Sequence, residues 1–298
     1  MTLRDTFRQI EQRLRAAGIA ESRREAELLV HWLSGCSTLD LHARPEHVLD
    51  ADVLERLEYI VHQRTERRIP LQYLLGSVEF YGLEIAVTPA VLIPRPETET
   101  LVARIVATYH HSGTAPQRIL DIGTGSGCIA LALARMFPSA QVVGWDCSAE
   151  AIAVACSNAL QNGIANVIFE KQDVFNAVPN DVQYDLVMSN PPYIATGEYV
   201  ILEPELHHEP RIALTDGGDG LRFFRRYAEL LPILLTKAGM FALECAIDQA
   251  QIVAGMFKSA ETVIACDDEG VERYIVGTYD QRCTTLRNFA LCKMCVIP

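Results

Sequence analysis

No stretch of this sequence is both apolar and long enough to span a bilayer. The longest apolar segments, around Tyr227–Leu235 and Met240–Leu243, are broken or bounded by Glu229, Pro232, Lys237 and Glu244, whereas a helical crossing needs about 20 apolar residues. The opening "MTLRDTFRQIEQRLRAAG" is charged and amphipathic throughout and lacks the apolar core of a secretory leader, so a cytoplasmic protein without membrane contact is expected. Positive charge is scarce as well: 26 Lys and Arg stand against 38 Asp and Glu, a net charge of −12. Gripping long nucleic acid by neutralising phosphates takes a concentrated basic surface, so no stable nucleic-acid binding is expected. The clusters Arg64, Arg67, Arg68 and Arg222, Arg225, Arg226 read as solvated helix faces. A disulfide framework is missing too, because the nine cysteines are odd in number and scattered mostly singly among apolar neighbours. Cys292 and Cys295 form a C-x-x-C pair, and with Cys283 they supply three thiolates, one short of a four-cysteine zinc site. In "ELHHEP", His207, His208 and Glu209 read as a loop flanking a substrate, since adjacent side chains on an extended segment point apart. No metal is expected.

What is present is a chain of 298 residues, 49% of them hydrophobic, with room for two domains. Leu3, Phe7, Ile10 and Leu14 recur at helical spacing, as do Val53, Leu57, Ile60 and Val61, and Arg23–Leu33 forms a third stripe that Gly35 stops. Residues 1–70 therefore read as a helical bundle. Residues 71–96 turn β-rich around Gly82 and read as a hairpin linker. Pro96, followed by Glu97 and Glu99, suits a helix start, where proline fits the first turn and carboxylates face the positive dipole end. After residue 117, within a domain read as residues 97–278, short apolar runs ("RILDI", "QVVGW", "NVIFE", "YDLVMS", "GMFALE", "TVIAC", "RYIVG") alternate with helical patterns. That alternation predicts an α/β domain with a mostly parallel sheet covered on both faces. Residues 279–298 show no strong period and read as a loosely attached tail, and a monomer is expected.

"RILDIGTGSGCIALALA" predicts a strand, a glycine-rich turn and a helix from about Ser126 to Phe137. Gly123, Thr124, Gly125 and Gly127 sit in a G-x-G-x-G frame, and the dinucleotide fingerprint would need a glycine where Cys128 stands. Asp121 just before the glycines would repel a pyrophosphate but could accept hydrogen bonds from a cationic amine. S-adenosyl-L-methionine carries such an amine and no phosphate. Asp146, ending the second strand of the alternating series, is placed for two ribose hydroxyls. Asp173, after the third, is placed for an adenine amino group, with Phe175 over the adenine face. Ligands of open α/β sheets lie across the carboxyl ends of the strands, so these residues should converge on one crevice.

The fourth strand, "YDLVMS", delivers Asn190-Pro191-Pro192-Tyr193 to that same edge, beside the methyl donor. The two prolines preset an extended loop. The Asn190 carbonyl and the Pro191 backbone carbonyl could then accept both hydrogens of a planar –NH2 group, with Tyr193 covering its flat face. Such a nitrogen needs no base beforehand: positioned in line with a sulfonium methyl, it can lose its proton during or after transfer. Acceptors on its hydrogens favour the positive charge that grows there.

The segments "PLQYLLGSVEFYGL", "VLIPRPETE", "DIGTGSG", "SNPPYI", "EPRIALTDGGDGL" and "DDEGVERYIVG" occur in an order that resembles the release factor glutamine methyltransferases, the HemK/PrmC family, over about residues 5–278. The resemblance implies a class I S-adenosylmethionine-dependent fold: a Rossmann-like, mostly parallel seven-stranded sheet with an N-terminal helical domain that helps grip a protein substrate. It implies methyl transfer to the glutamine side chain of the Gly-Gly-Gln motif of peptide chain release factors, leaving S-adenosyl-L-homocysteine. Asn190, Pro191, Pro192 and Tyr193 would hold the glutamine amide, and Asp121, Gly123, Thr124, Gly125, Gly127, Asp146, Asp173, Phe175 and Asn190 would serve the donor. N-P-P-Y alone is shared with adenine N6 methyltransferases and a ribosomal protein glutamine methyltransferase; "PRPETE" is the more discriminating segment. Glu244-Cys245-Ala246 departs from the family, whose third residue there is usually Gly or His, and the tail has no counterpart in it.

Overall fold

The structure, a computed structural model, describes residues 1–176, 182–280 and 283–291. The chain divides into two compact units, one made of Met1–Gly76 with Glu203–His208 and the other of Ser77–Leu202 with Glu209–Pro298.

The first unit is helical: α1 (Leu3–Ala16), α2 (Ser22–Ser34), α3 (Thr38–Ala43), α4 (Ala51–Glu66) and α5 (Leu71–Leu75). The apolar stripes read from the sequence meet in one core of Leu3, Ile10, Leu14, Leu29, Val30, Leu57, Ile60 and Val61. α2 ends where Gly35 takes a left-handed conformation (φ 71°) that side chains avoid. Arg64 is buried on α4 and sits between Glu25, which accepts from its Nε and Nη2 at 2.8 Å each, and Glu205, which accepts from Nη1 at 2.6 Å. Two carboxylates around one buried guanidinium offset the cost of taking that charge out of water. The short α3 has no counterpart in the apolar stripes. Its six residues carry no buried side chain, and the sign of its start is the capping box of Ser37 and Asp40.

The second unit opens with the hairpin β1 (Ser77–Phe80) and β2 (Leu83–Ala86), followed by α6 (Pro96–Ser112). Then come β3 (Arg118–Ile122), α7 (Cys128–Met136), β4 (Gln141–Asp146), α8 (Ala149–Gln161), β5 (Val167–Lys171) and β6 (Tyr184–Ser189). The short α9 (Thr196–Tyr199) and α10 (Arg211–Leu214) precede α11 (Arg222–Leu234), β7 (Leu235–Glu244), α12 (Ala250–Ala254), β8 (Glu261–Cys266), β9 (Glu272–Thr278) and α13 (Thr284–Leu291). The seven strands β3 to β9 form one sheet in the order β5-β4-β3-β6-β7-β9-β8. Only β9 runs antiparallel to its neighbours, so the sheet is mostly parallel. The strand order reverses between β3 and β6, the position where such sheets open a crevice at their carboxyl ends.

Three details differ from the sequence reading. The hairpin read as a linker is tied into the second unit. Buried Asn158 on α8 accepts from Ala86 N (2.8 Å) and donates to Ala86 O (3.0 Å) and to Ser126 O (2.9 Å), which fastens β2 beside the glycine loop. α7 starts at Cys128 rather than near Ser126, because Gly127 (φ 83°) turns the chain into the helix. The described part of the tail is not loose: α13 packs on α6, buries Leu286 and Phe289, and receives the Arg104 guanidinium over the Phe289 ring at 4.8 Å. Burying each such apolar side chain is worth about 1.5–3 kcal/mol; the eight-residue segment is too short to show a clear period in sequence. Cys292 and Cys295 lie outside the described residues.

Candidate active site

At the carboxyl edge between β4, β3 and β6 the second unit encloses a cavity of about 440 Å³. Gly123, Gly125, Asp146, Asp173 and Phe175 line one side, and Asn190, Pro191 and Pro192 line another. Asp121, Thr124, Gly127 and Tyr193 are not on its wall.

The glycine loop is held from within. Gly123 N and Thr124 N both donate to Trp145 O (2.8 and 2.9 Å), and Gly125 N donates to Asp146 Oδ2 at 2.9 Å. With those N–H groups committed and two carboxylates alongside, the loop cannot cradle a pyrophosphate as phosphate-binding loops do. Gly123 and Gly125 supply the positive φ values (75° and 54°) of this turn. Gly127 serves packing, since a Cβ there would come within 3.0 Å of Phe169 and 3.1 Å of Ala155.

Asp121 lies fully buried behind the loop. Its Oδ2 accepts from Thr124 Oγ1 (2.7 Å) and Ala130 N (3.2 Å), while its Oδ1 is buried without a partner among the described residues. Burial pushes this carboxyl up to about 7, and the neighbouring charge of Asp146 adds to the shift. An orphaned, reluctant carboxylate oxygen is what a cationic amine would satisfy. Asp146 also accepts from Ser148 N at 2.9 Å. Asp173 accepts from Phe175 N (3.0 Å) and Asn176 Nδ2 (2.7 Å), which fixes the turn that presents Phe175. The Arg222 guanidinium lies 4.1 Å from the Phe175 ring centre and joins the cavity wall.

On the other side, Asn190 Nδ2 donates to Thr98 Oγ1 at 3.0 Å, and Thr98 Oγ1 donates to Glu244 Oε2 at 2.7 Å. The Tyr193 hydroxyl donates to Glu244 Oε1 at 3.3 Å. Burial raises the Glu244 carboxyl to about 7. Ala246, where the chain departs from its resemblance, donates its N–H to Gln249 Oε1 (3.2 Å), and Gln249 Nε2 donates to Tyr193 O (3.0 Å). The departure therefore leaves this loop supported. Glu209 is no open loop residue: it is buried, accepting from Ile93 N at 2.9 Å and pairing with Arg95.

The sequence reading missed Thr98, Glu244, Gln249, Arg222 and Tyr227. Thr98 lies inside "PRPETE", whose local signal is that of a helix start. Glu244 ends β7 at the same carboxyl edge that singled out Asp121 and Asp146, so the same rule could have found it.

Two family models match the chain, "Methyltransferase small domain" over residues 98–243 and "PrmC N-terminal domain" over residues 5–76. A release factor glutamine methyltransferase of Geobacter sulfurreducens is 39% identical over 264 residues, covering 87% of this chain and 90% of the relative. Another, of Xylella fastidiosa strain Temecula1, is 37% identical over 267 residues, covering 89% and 96%. The chain belongs to the release factor glutamine methyltransferase family. Its methyl donor is S-adenosyl-L-methionine, and a glycine loop closed to phosphate, with Asp146 and Asp173 on the cavity wall, fits a donor that carries no phosphate. Among solved structures, the hMettl16 catalytic domain in complex with MAT2A 3'UTR hairpin 6 superposes with a TM-score of 0.53 at 16% identity, covering 78% of this chain and 84% of that one. A methyltransferase from Pyrococcus furiosus gives 0.50 at 16% identity, covering 78% and 100%. At this identity they show the class I methyltransferase fold and nothing finer. Among the described residues no helix is long and apolar enough to cross a membrane.

Proposed function

We propose that the enzyme methylates the side-chain amide nitrogen of the glutamine in the Gly-Gly-Gln motif of peptide chain release factors, with the Asn190–Tyr193 loop holding that amide. The observation that carries this reading is the placement of Asn190 and Pro191 on the wall of the same cavity as Asp146 and Asp173. S-adenosyl-L-methionine supplies an electrophilic methyl on a sulfonium. As the new N–C bond forms, the S–C bond breaks, its electron pair stays on sulfur, and S-adenosyl-L-homocysteine remains.

The protein's part is positioning and electrostatics. Asn190 commits its Nδ2 to Thr98, which leaves Oδ1 to accept one amide hydrogen, and the Pro191 carbonyl accepts the other. Both acceptors strengthen as the nitrogen becomes positive, so they favour the transition state over the bound amide. The proton then leaves to water. Tyr193, which stands off the cavity wall, anchors the loop through its hydroxyl on Glu244 rather than covering the amide. Asp121, Gly123, Thr124, Gly125, Gly127, Asp146, Asp173 and Phe175 bind or shape the donor site. The helical unit takes part in gripping the protein substrate.

Purified enzyme incubated with methyl-labelled donor and, separately, a release factor, the ribosomal proteins and DNA tests this. Label on the glutamine of the release factor's Gly-Gly-Gln peptide, located by mass analysis, is the expected result. Label confined to DNA or to a ribosomal protein would overturn it.

A further inference from the structure

We propose that Thr98 and Glu244 act as a positioning relay that sets which way the Asn190 amide faces, carbonyl oxygen outward to the substrate nitrogen and NH2 inward. The inference rests on the reading of Asn190 given above and adds two residues to it.

A threonine hydroxyl has one hydrogen to give and two lone pairs to receive. With Glu244 ionised, that hydrogen of Thr98 is spent on Glu244 Oε2 at 2.7 Å, so toward Asn190 the oxygen can only accept. Nδ2 is the group it meets, at 3.0 Å. Turning the Asn190 amide over would set its carbonyl against an oxygen with no hydrogen left, two acceptors facing each other in a nearly dry site, because Thr98 is 2% and Glu244 1% exposed. The relay therefore selects one of two amide orientations that are almost identical in shape. Only the selected one presents an acceptor to a substrate –NH2.

The far end of the relay is well placed to be rigid. Glu244 closes β7, which is paired on one side with β6, the strand leading into Asn190, and on the other with β9. Its second oxygen accepts from Tyr193, so one carboxylate holds the loop at both ends: Asn190 through Thr98, and Tyr193 directly. Pro191 and Pro192 stiffen the backbone between, and Gly220 packs against the loop's end, where a Cβ would come within 2.3 Å of Tyr193 O. A carboxylate at the end of the chain also polarises Thr98 and then Asn190 in the direction that makes Oδ1 a stronger acceptor for positive charge growing on the substrate nitrogen. "PRPETE" thereby gains a chemical role, because Pro96 starts α6 so that Thr98, two residues on, reaches the Asn190 loop.

Three substitutions separate this from a merely structural hydrogen bond. Thr98→Val keeps the shape and removes the hydroxyl; we expect turnover to fall about ten- to a hundredfold, the scale of one or two hydrogen bonds made to the transition state. Thr98→Ser restores the relay and should keep turnover within about threefold. Glu244→Leu removes the acceptor of the Thr98 hydrogen, frees that hydroxyl to donate to the Asn190 carbonyl and should lower turnover as much as Thr98→Val. Donor affinity should change by less than about threefold in all three. In an Asn190→Ala background Thr98→Val should cost nothing more, because residues acting through one another are not additive. Each is measured on whichever candidate substrate wild-type enzyme labels, so a wrong substrate shows in the wild type and a wrong relay shows in the variants. A readout free of substrate is hydrogen exchange at the Asn190 side-chain NH2 by NMR, slow in wild type and Thr98→Ser and fast in Thr98→Val. Near-normal turnover in Thr98→Val, equal losses in Thr98→Val and Thr98→Ser, an undiminished loss in the Asn190→Ala background, or exchange unaffected by Thr98→Val would each overturn the relay.

Discussion

On the donor side of the cavity the carboxylates brace their own neighbourhood. Asp173 is bonded to groups two and three residues away, Asp121 to Thr124 three away and Ala130 nine away, and Asp146 to Ser148 two away and Gly125 twenty-one away. On the acceptor side Asn190 leans on Thr98, ninety-two residues distant, and Thr98 on Glu244, one hundred and forty-six from it. The donor side draws on local turns and on bonds between the adjacent strand ends of β3 and β4. An acceptor site that draws on α6, β6 and β7 together exists only when the sheet is complete. On the proposed reading, binding the donor and orienting the nitrogen are separable functions, carried by groups that share a cavity but few bonds.

The sharpest way to break that separation is at Asn190. Asn190→Ala is expected to lower turnover about a hundredfold or more while donor affinity, measured by calorimetry, stays within a few-fold. If donor binding collapsed together with turnover, the two sides would be one unit and the assignment of Asn190 to the amide would be lost.

Asp146→Ala is the mirror experiment, with a somewhat smaller effect. It removes the acceptors proposed for the ribose and the brace on Gly125 N, so donor affinity should weaken about ten- to a hundredfold. Turnover at saturating donor should stay within about fivefold of wild type, because the Asn190–Thr98–Glu244 chain does not involve it. Steady-state kinetics at several donor concentrations check this; a loss that saturating donor cannot recover would mean that Asp146 also orients the reacting atoms.

The same contrast explains what was legible in the sequence. The alternation of apolar runs and helical patterns marked all seven strands of the sheet, because period and length are local properties. Asp146 and Asp173 could be read for the same reason: an acidic residue directly after a strand already has its position at the carboxyl edge. Asn190 was visible through its prolines. Thr98 was not, since a threonine in the first turn of a helix is ordinary, and its meaning lies in two partners brought near by tertiary structure. Nor could sequence show that Tyr193 turns its hydroxyl to Glu244, or that Asp121 is sealed behind Thr124. The packing of α13 escaped notice because its contacts are with α6, far back in the chain.

The smallest expected effect tests the comparison through proton linkage. Burial lifts Asp121 from an ordinary 3.8 and Glu244 from 4.5, each to about 7 in the folded protein. For Glu244 the charge of Glu97 pushes the same way, while Thr98, Tyr193 and Arg273 oppose it. A carboxyl whose folded value is raised binds its proton more tightly when folded, so its contribution to stability is complete below the unfolded value, near pH 4, and is lost as pH rises to about 7. Asp121→Asn and Glu244→Gln should each flatten that decline, by a few degrees in melting midpoint between pH 5 and pH 8. Saturating S-adenosyl-L-methionine should separate them. Its ammonium favours ionised Asp121, so the share of the slope that Asp121→Asn removes shrinks when donor is bound. The share removed by Glu244→Gln stays the same, because no donor group is proposed to reach Glu244. Melting midpoints of the three proteins across that pH range, with and without donor, measure both shares. Should donor erase the Glu244 share as well, the two halves of the cavity would be electrostatically coupled, and the division of labour drawn from their hydrogen bonds would have to be given up.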